Sequence, residues 1–220
     1  IIFGVVMPGT MVGASLAEQV AAASDKFRGY IEDLLAQFER RSALRKERGV
    51  RVVNFVGHGR CGKDESATRF SKVTLADYGG ATSTIVNPMI AWCLGLDEET
   101  SYKSRHDNRM YWFNWCNEMR KHDPTLLPKL LLGQGDIVVG TRSHVEVKAA
   151  AAELVDVTIW INRLNTPVDP TMEYDAYDVF QLPNWDWIDN NKSDDDYQSL
   201  QAQINRIATS LGMFLGENCG

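Results

Sequence analysis

One short segment joins glycines to a lysine at a spacing that suits phosphate chemistry. Residues Gly57 to Lys63 read GHGRCGK, which fits the pattern GxxxxGK, and they lie between an apolar run and an expected helix. Glycines let backbone N–H groups converge on a polyphosphate, the helix N-terminus adds positive potential, and the lysine reaches the β- and γ-phosphates. The segment therefore predicts a loop for nucleotide phosphates, formed by Gly57, Gly59, Arg60, Cys61, Gly62 and Lys63.

An acid follows the lysine at the position where a serine or threonine usually contacts Mg²⁺. Asp64 comes directly after Lys63, and Glu65 comes next. A carboxylate can serve Mg²⁺ directly or through water. Because an acid beside phosphates must be neutralised, we expect Asp64 to hold Mg²⁺ and Glu65 to lie at the same nucleotide site.

The apolar pattern predicts the elements that position this loop. Residues 1–14 form an irregular arm, and a helix is expected from Ser15 to Arg48. Strands are expected at Val50–Val56, Val73–Ala76, Ile137–Val139 and Val157–Asn162. Further helices are expected after Gly62 and over Thr82–Leu94, Asn108–Lys121, Thr125–Leu132, His144–Glu153 and Asp194–Gly212. Short apolar strands between helices are typical of an α/β fold with a central parallel sheet covered on both faces.

The N-terminal helix has two features that admit more than one interpretation. Its apolar stripe, from Leu16 to Phe38, must be buried along the rest of the chain or against a second copy, and we favour a homodimer. Its basic end, Arg40 to Arg48, suits the helix dipole or, alternatively, forms a surface for DNA or another polyanion. We therefore expect an N-terminal arm and amphipathic helix over 1–49 and a second domain over 50–220.

The composition limits the classes of function. The chain has 220 residues and a net charge of −6, which argues against non-specific coating of nucleic acid but leaves room for a local basic groove. No apolar run approaches the roughly 20 residues of a membrane-spanning helix, so we expect no membrane partner. The 4 cysteines are scattered without metal-ligand spacing, which favours a reduced, cytoplasmic protein.

Several segments in order resemble the phage deoxynucleoside monophosphate kinases and their P-loop relatives. The loop ends in GKD, RMYW begins at Arg109, and IVVGTRSHVE spans Ile137–Glu146. VTIWINR at Val157–Arg163, the acidic-Thr-acidic stretch Asp169–Glu173 and WIDNNKS at Trp187–Ser193 follow in the same order. The resemblance covers Val50 to Leu215 and implies a three-layer P-loop NTPase fold, here with an N-terminal helical extension.

The resemblance also implies roles for individual residues, with ATP and Mg²⁺ as cofactors. Arg142 would contact a transferring or acceptor phosphate, and Glu146, one helical turn later, would pair with it. Arg163 would be a lid arginine near the ATP phosphates, and Asn190 would lie near the adenine. The chain departs from the family at Gly140, where related kinases often carry an aspartate, and at Tyr78-Gly79-Gly80.

Other residues are candidates by position. Asp77 follows an expected strand whose carboxyl end would face the nucleotide, so it is a candidate base or hydroxyl ligand, or else a turn cap. Arg105, His106 and Arg109 enter the next expected helix and could bind acceptor phosphates, since cations there oppose the dipole, or else they form a solvated helix start. Trp112 and Trp115 are spaced for core packing or, alternatively, for base stacking.

Together these features predict an ATP-dependent phosphotransferase that moves the γ-phosphate to a deoxynucleotide, most simply a deoxynucleoside monophosphate. The alternative is a phage DNA kinase that phosphorylates the hydroxymethyl group of 5-hydroxymethyluracil in DNA, with Arg40–Arg48 holding the backbone and Asp64 or Asp77 as base. A weaker alternative is an ATPase switch. For a viral enzyme the compartment would be the host cytoplasm.

Overall fold

The computed structural model describes residue 11, residues 13–191 and residues 197–215. Along these residues the elements are α1 Leu16–Lys26, α2 Arg28–Arg48, β1 Val53–Val56, α3 Lys63–Val73, α4 Thr82–Leu94, α5 Glu98–Ser104, α6 Arg109–Met119, α7 Leu126–Gln134, β2 Ile137–Val139, α8 His144–Glu153, β3 Val157–Asn162, α9 Ala176–Val179, β4 Trp185–Asp189 and α10 Tyr197–Ser210. Most of the expected arm, residues 192–193 of the last family-like segment and residues 194–196 of the expected last helix lie outside this range.

The four strands form one parallel sheet, as an α/β fold requires. Their order is β2-β1-β3-β4, with Val53 opposite both Ile137 and Val157. Every residue of β1 and β2 is buried, which explains their unbroken apolar runs. Because neighbouring strands are parallel, β1 and β2 end at the same edge, and the GxxxxGK loop begins there.

Helices cover the sheet through three apolar clusters. One cluster joins α3 and α10 to Val53, Phe55 and Val139, and a second joins α1, α2, α4, α6 and α7 to Val138. The third joins α8 and α9 to Val56 and Trp160. Val138 and Val139 point to opposite faces, because side chains alternate along a strand. The sheet is therefore packed on both sides, and no helix of the described residues is long and apolar enough to cross a bilayer.

The N-terminal helix is interrupted, which corrects the expectation of one helix from Ser15 to Arg48. Ser15 and Glu18 form a capping box at the start of α1, but α1 ends at Lys26 and Phe27 leaves the helical conformation with φ −100° and ψ 17°. On either side of this break, α1 packs against α4 and α6, and α2 packs against α7. Gly49 ends α2 in a left-handed conformation, with its N–H bonded to the carbonyl of Arg45.

The apolar stripe of these two helices is covered within the chain. Val20, Ala23 and Leu34 are buried in the same cluster as residues of α4, α6 and α7. The approach to α7 is close, since a Cβ on Gly133 would lie 2.3 Å from the carbonyl oxygen of Leu34. The stripe thus gives no reason to require a second copy, and the homodimer loses the argument on which it rested.

The expected strand Val73–Ala76 does not exist, and other bounds also differ. Helix α3 extends to Val73, and the hydroxyl of Thr74 takes the local hydrogen bonds by donating to Phe70 O and accepting from Ala76 N. The first strand starts at Val53 rather than Val50, and the helices α5 and α9 were not expected. Trp185 and Trp187 belong to β4.

Candidate functional site

The loop from Gly57 to Gly62 has the backbone shape that its glycines predict. It leaves β1 and enters α3 with left-handed φ values at Gly57 (141°), Arg60 (64°) and Gly62 (99°). A Cβ on Gly57 would lie 2.6 Å from the carbonyl oxygen of Ile161, and one on Gly62 would lie 2.4 Å from Nδ2 of Asn190. Conformation therefore favours glycine at both positions, and at Gly57 the fixed backbone of Ile161 also leaves no space for a Cβ, whereas the side chain of Asn190 would have to shift at Gly62.

Lys63 lies inside this loop at the first position of α3. Its ammonium donates to the carbonyl oxygens of Gly57 at 2.8 Å and His58 at 2.6 Å. Burial lowers the pKa of Lys63, because water no longer solvates its charge. The amine is thus held where phosphate oxygens can replace the two carbonyls as acceptors.

Asp64 and Glu65 take different directions after the lysine. The carboxylate of Asp64 accepts a hydrogen bond of 2.5 Å from the hydroxyl of Tyr78 and lines the cavity beside Lys63. Glu65 instead pairs with Arg69 at 2.6 Å along the helix. Glu65 therefore has a helix-surface role and is not placed as a nucleotide ligand.

The donor set beside the loop fits Mg²⁺ bound to a nucleotide. The described residues contain no cluster of three His, Cys, Asp or Glu side chains that could hold a metal alone. Mg²⁺ is usually bound through one or two carboxylates together with substrate phosphates and water. Asp64, next to Lys63, supplies the one carboxylate that such a site would need.

A cavity opens from the loop between α4, α6 and the end of β2. Its walls bring together the predicted residues Gly59, Arg60, Lys63, Asp64, Arg105, Arg109 and Arg142. Trp112 and Phe113 add an aromatic wall, and Trp112 is buried with an indole N–H that has no partner among the described residues. Trp115, in contrast, is wholly buried in the core, so the two tryptophans have separate roles.

The cations of the cavity outnumber its acids. Among the described lining residues Asp64 is the sole carboxylate, against one lysine and five arginines. Arg105 stacks on the ring of Tyr102, 3.8 Å from its centre, and donates to the carbonyl of Tyr102. Burial and the charges of Arg105 and Arg109 lower the pKa of His106. The electrostatic field of the cavity therefore favours an anion.

Glu146 does not pair with the guanidinium of Arg142, which corrects the expectation from the resemblance. Its carboxylate is buried, forms an ion pair with Arg120 and accepts from the backbone N–H of Arg142 at 3.0 Å. Burial raises the pKa of Glu146, against the opposing charge of Arg120. Arg120 itself lines the cavity, so Glu146 positions Arg120 and the backbone of Arg142.

The guanidinium of Arg142 bonds instead to Asp169 and Thr171. Asp169 has a fully buried side chain and also accepts from Arg109 at 2.7 Å. Burial raises the pKa of Asp169, but the charge of Arg142 and the hydrogen bonds of Thr171 and Arg142 outweigh it and hold that pKa well below its usual range. The two predicted acceptor arginines therefore meet at one ionised carboxylate.

Asp77 lies at the other edge of the sheet, and this corrects its placement beside the nucleotide. Its backbone exchanges hydrogen bonds with Asp136, which precedes β2, and its carboxylate pairs with Arg41 at 2.7 Å. Lys63 follows the carboxyl end of β1, whereas Asp77 lies beside Asp136 at the amino end of β2 and directs its carboxylate to Arg41. Asp77 is not in a position to act as a base beside Lys63.

The basic end of α2 is also used internally. Arg45 is buried and donates to Asp136 at 2.8 Å and to the carbonyl oxygens of Leu132 and Gly135, and Arg41 bonds to Asp136 at 3.2 Å. These arginines are therefore not available as a surface for DNA. The helix-dipole interpretation accounts for only part of their role.

Arg163 and Asn190 contact the outside of the loop and are absent from the described cavity lining. Arg163 donates to the carbonyl oxygen of Arg60 at 3.3 Å, and the amide of Asn190 donates to the carbonyl oxygen of Cys61 at 2.9 Å.

Cys61 is buried, and its pKa is raised by that burial. His58 accepts a long hydrogen bond of 3.4 Å from the backbone N–H of Asp169.

Three residues of the site were not predicted by sequence reasoning. Tyr78 holds Asp64, Arg120 lines the cavity and Asp169 joins two arginines. Asp169 had a signal in the acidic-Thr-acidic stretch, whereas Tyr78 and Arg120 had none beyond their residue types. At Gly140 the left-handed φ of 105° would strain an aspartate, and its Cβ would lie 3.1 Å from the hydroxyl of Thr82, which would have to shift.

Comparison with known proteins adds no relative. No family model, no curated protein and no solved structure matches this chain.

Proposed function

We propose that this protein is an ATP-dependent phosphotransferase that acts on a deoxynucleoside monophosphate. One observation carries the proposal, namely that the lysine of the GxxxxGK loop shares a cavity with Arg109 and Arg142. A donor phosphate on Lys63 and an acceptor phosphate on these arginines would face each other across the cavity. Phosphoryl transfer depends mainly on such positioning and on charge stabilisation.

The residues of the loop would hold the donor. The backbone N–H groups of the loop and the ammonium of Lys63 would bind the β- and γ-phosphates of ATP, and Asp64 would hold Mg²⁺. Bound Mg²⁺ supplies charge neutralisation at the transferring phosphate. Arg60 lines the same cavity and would add a further positive charge at the transferred group.

The opposite wall would hold the acceptor. Arg109 and Arg142 offer planar forks that match a phosphate dianion. Trp112 and Phe113 form an aromatic surface of a kind on which a nucleobase stacks. Cys116 and Arg120, both buried, complete the wall of the cavity.

Two features favour a free nucleotide over a base within DNA. Arg41 and Arg45 are engaged in ion pairs at the far edge of the sheet, so only Arg40, Lys46 and Arg48 of the basic helix end remain exposed for a DNA backbone. A base in duplex DNA would also have to leave the helix to reach a cavity with buried walls, which costs unstacking energy. The DNA kinase is therefore the alternative outcome of the test rather than a second proposal.

The test is transfer of label from [γ-³²P]ATP with Mg²⁺. Parallel reactions contain the four deoxynucleoside monophosphates, ordinary duplex DNA or duplex DNA with 5-hydroxymethyluracil. Lys63→Ala should abolish transfer, while Lys72→Ala, which changes an exposed lysine of the same helix, should leave it intact. Label in deoxynucleoside diphosphates supports the proposal, and label only in modified DNA identifies the DNA kinase. Hydrolysis of ATP without any acceptor would overturn both and indicate an ATPase.

A further inference from the structure

The segment between β3 and α9 connects the two halves of the cavity through Asp169. One carboxylate oxygen of this residue, Oδ2, accepts from Nη1 of Arg109 and from Nη1 of Arg142. The other oxygen, Oδ1, accepts from the N–H and the hydroxyl of Thr171, at 3.1 and 2.7 Å. Both oxygens are thus fully used, so Asp169 is held rigidly and holds the arginines in turn.

The same residue touches the phosphate-binding loop. A Cβ on Gly59 would lie 3.0 Å from Oδ2 of Asp169 and 2.7 Å from Nη1 of Arg109. The N–H of Asp169 points to Nδ1 of His58 at 3.4 Å. The loop that would hold ATP and the arginines that would hold the acceptor are therefore in direct contact through one side chain.

Each arginine is held by one nitrogen and keeps another for a ligand. Nη2 of Arg109 and Nη2 of Arg142 make no hydrogen bond to any residue in the described part of the chain. Two arginines and one carboxylate leave a net positive charge beside a phosphate dianion. Asp169 thereby aligns the guanidinium groups against their mutual repulsion without neutralising them.

We propose that Asp169 is a positioning residue that couples acceptor binding to ATP binding. The inference rests on the proposed function and adds a regulatory property to that site. ATP phosphates in the loop would fix Gly59 and His58, these would fix Asp169, and Asp169 would present Arg109 and Arg142 to the acceptor. Because coupling is reciprocal, a bound acceptor tightens ATP binding by the same factor.

The test measures binding by isothermal titration calorimetry, without turnover. Each of dTMP, dGMP, dAMP and dCMP is titrated with and without adenylyl imidodiphosphate and Mg²⁺, and the analogue is titrated with and without the acceptor that binds. In the unaltered protein we expect the bound analogue to increase the affinity for the acceptor by a factor within the usual range of about 5 to 150. In Asp169→Asn that factor should fall to about one, with the analogue alone still bound.

Asp136→Asn is the matched control. Asp136 is also a buried carboxylate between two arginines, Arg41 and Arg45, but it lies at the opposite edge of the sheet. This variant should lose stability and keep the coupling factor. An equal loss of coupling in Asp136→Asn would overturn the inference, because it would mark the effect as general loosening.

The outcomes distinguish failure of the coupling role of Asp169 from failure of the proposed kinase function. Failure of the unaltered protein to bind the ATP analogue would overturn the proposed function. Binding of both ligands with the same coupling factor in Asp169→Asn as in the unaltered protein would overturn the inference and leave the kinase standing. Loss of coupling confined to Asp169→Asn supports the inference.

Discussion

The hydroxyl of Tyr78 donates to the carboxylate of Asp64 at 2.5 Å, although the two residues are 14 positions apart in the chain. Tyr78 precedes Gly79 and Gly80, and Asp64 lies at the position where a GxxxxGK loop usually carries a serine or threonine. The carboxylate at this unusual position is thus held by a tyrosine. A carboxylate oriented in this way presents its second oxygen to a cation in a fixed direction.

Tyr78→Phe should weaken the use of Mg²⁺. Removing a hydrogen-bonding partner of a metal ligand typically costs about 10- to 100-fold in metal affinity. The Mg²⁺ concentration for half-maximal binding of a fluorescent ATP analogue should rise accordingly, while binding of the metal-free analogue changes little. Tyr177→Phe, at an exposed tyrosine, serves as the control. An unchanged Mg²⁺ dependence in Tyr78→Phe would show that Asp64, as oriented by Tyr78, is not a ligand of the metal.

Gly62→Ala should damage the loop and spare the rest of the fold. The left-handed φ of 99° costs about 1–2 kcal/mol for a residue with a Cβ, and the new atom would lie 2.4 Å from the amide of Asn190. The loop would relax away from the shape in which its N–H groups converge, so ATP should bind about tenfold more weakly. Calorimetry with adenylyl imidodiphosphate measures the change.

A second glycine provides the comparison. Gly29→Ala lies within α2, where nothing surrounds a built Cβ within 4 Å. Alanine in a helix is favoured over glycine by up to about 1 kcal/mol, so this variant should be slightly more stable and bind ATP normally. Equal ATP affinity in the two variants would contradict the strain argument.

Glu146→Ala should be strongly destabilising. It would leave Arg120 charged and buried without its partner, and breaking a buried ion pair in this way costs about 3–5 kcal/mol. Urea unfolding followed by circular dichroism measures the loss. The exposed pair of Glu99 and Lys103 is the control, since Glu99→Ala should cost at most about 1 kcal/mol.

The contribution of Asp169 to stability should depend on pH. Its pKa in the folded protein lies below that of the unfolded chain, about 3.9, because Arg142 and Thr171 favour the charged form. Its stabilisation is therefore complete above roughly pH 5 and is lost as the pH falls through and below the unfolded value. The difference in urea midpoint between the unaltered protein and Asp169→Asn should shrink on acidification. A difference that stays constant from pH 7 to pH 3 would contradict this.

Local signals in the sequence were sufficient for the loop and for much of the sheet. The bounds of β2, β3, α4 and α8 agree with the expected ranges, because each is a short apolar run or a periodic segment between clear breakers. The GxxxxGK pattern predicted the glycine conformations at Gly57 and Gly62, since its requirement is a matter of backbone geometry. The bounds of these elements and the shape of the loop are set by residues close in sequence, so a local pattern is enough to predict them.

Features that depend on distant residues escaped prediction. The partner of Glu146 is Arg120, 26 positions earlier and on another helix, so the i+4 spacing from Arg142 was misleading. Asp77 was misplaced because the expected strand before it does not form, and its backbone joins Asp136 instead. Nothing local to the basic end of α2 indicates that Arg45 is buried.

The ion pairs of Arg41 and Arg45 with Asp136 bear on how this chain can be divided. Gly49 ends α2 and would be the place to cut between an N-terminal appendage and the rest of the chain. Removing the residues before Gly49 would leave the buried carboxylate of Asp136 without its arginines and expose the apolar residues of α7 that face Leu34. The helices before Gly49 are therefore part of the same packed core as the sheet, and a shortened chain is expected to precipitate rather than to fold independently.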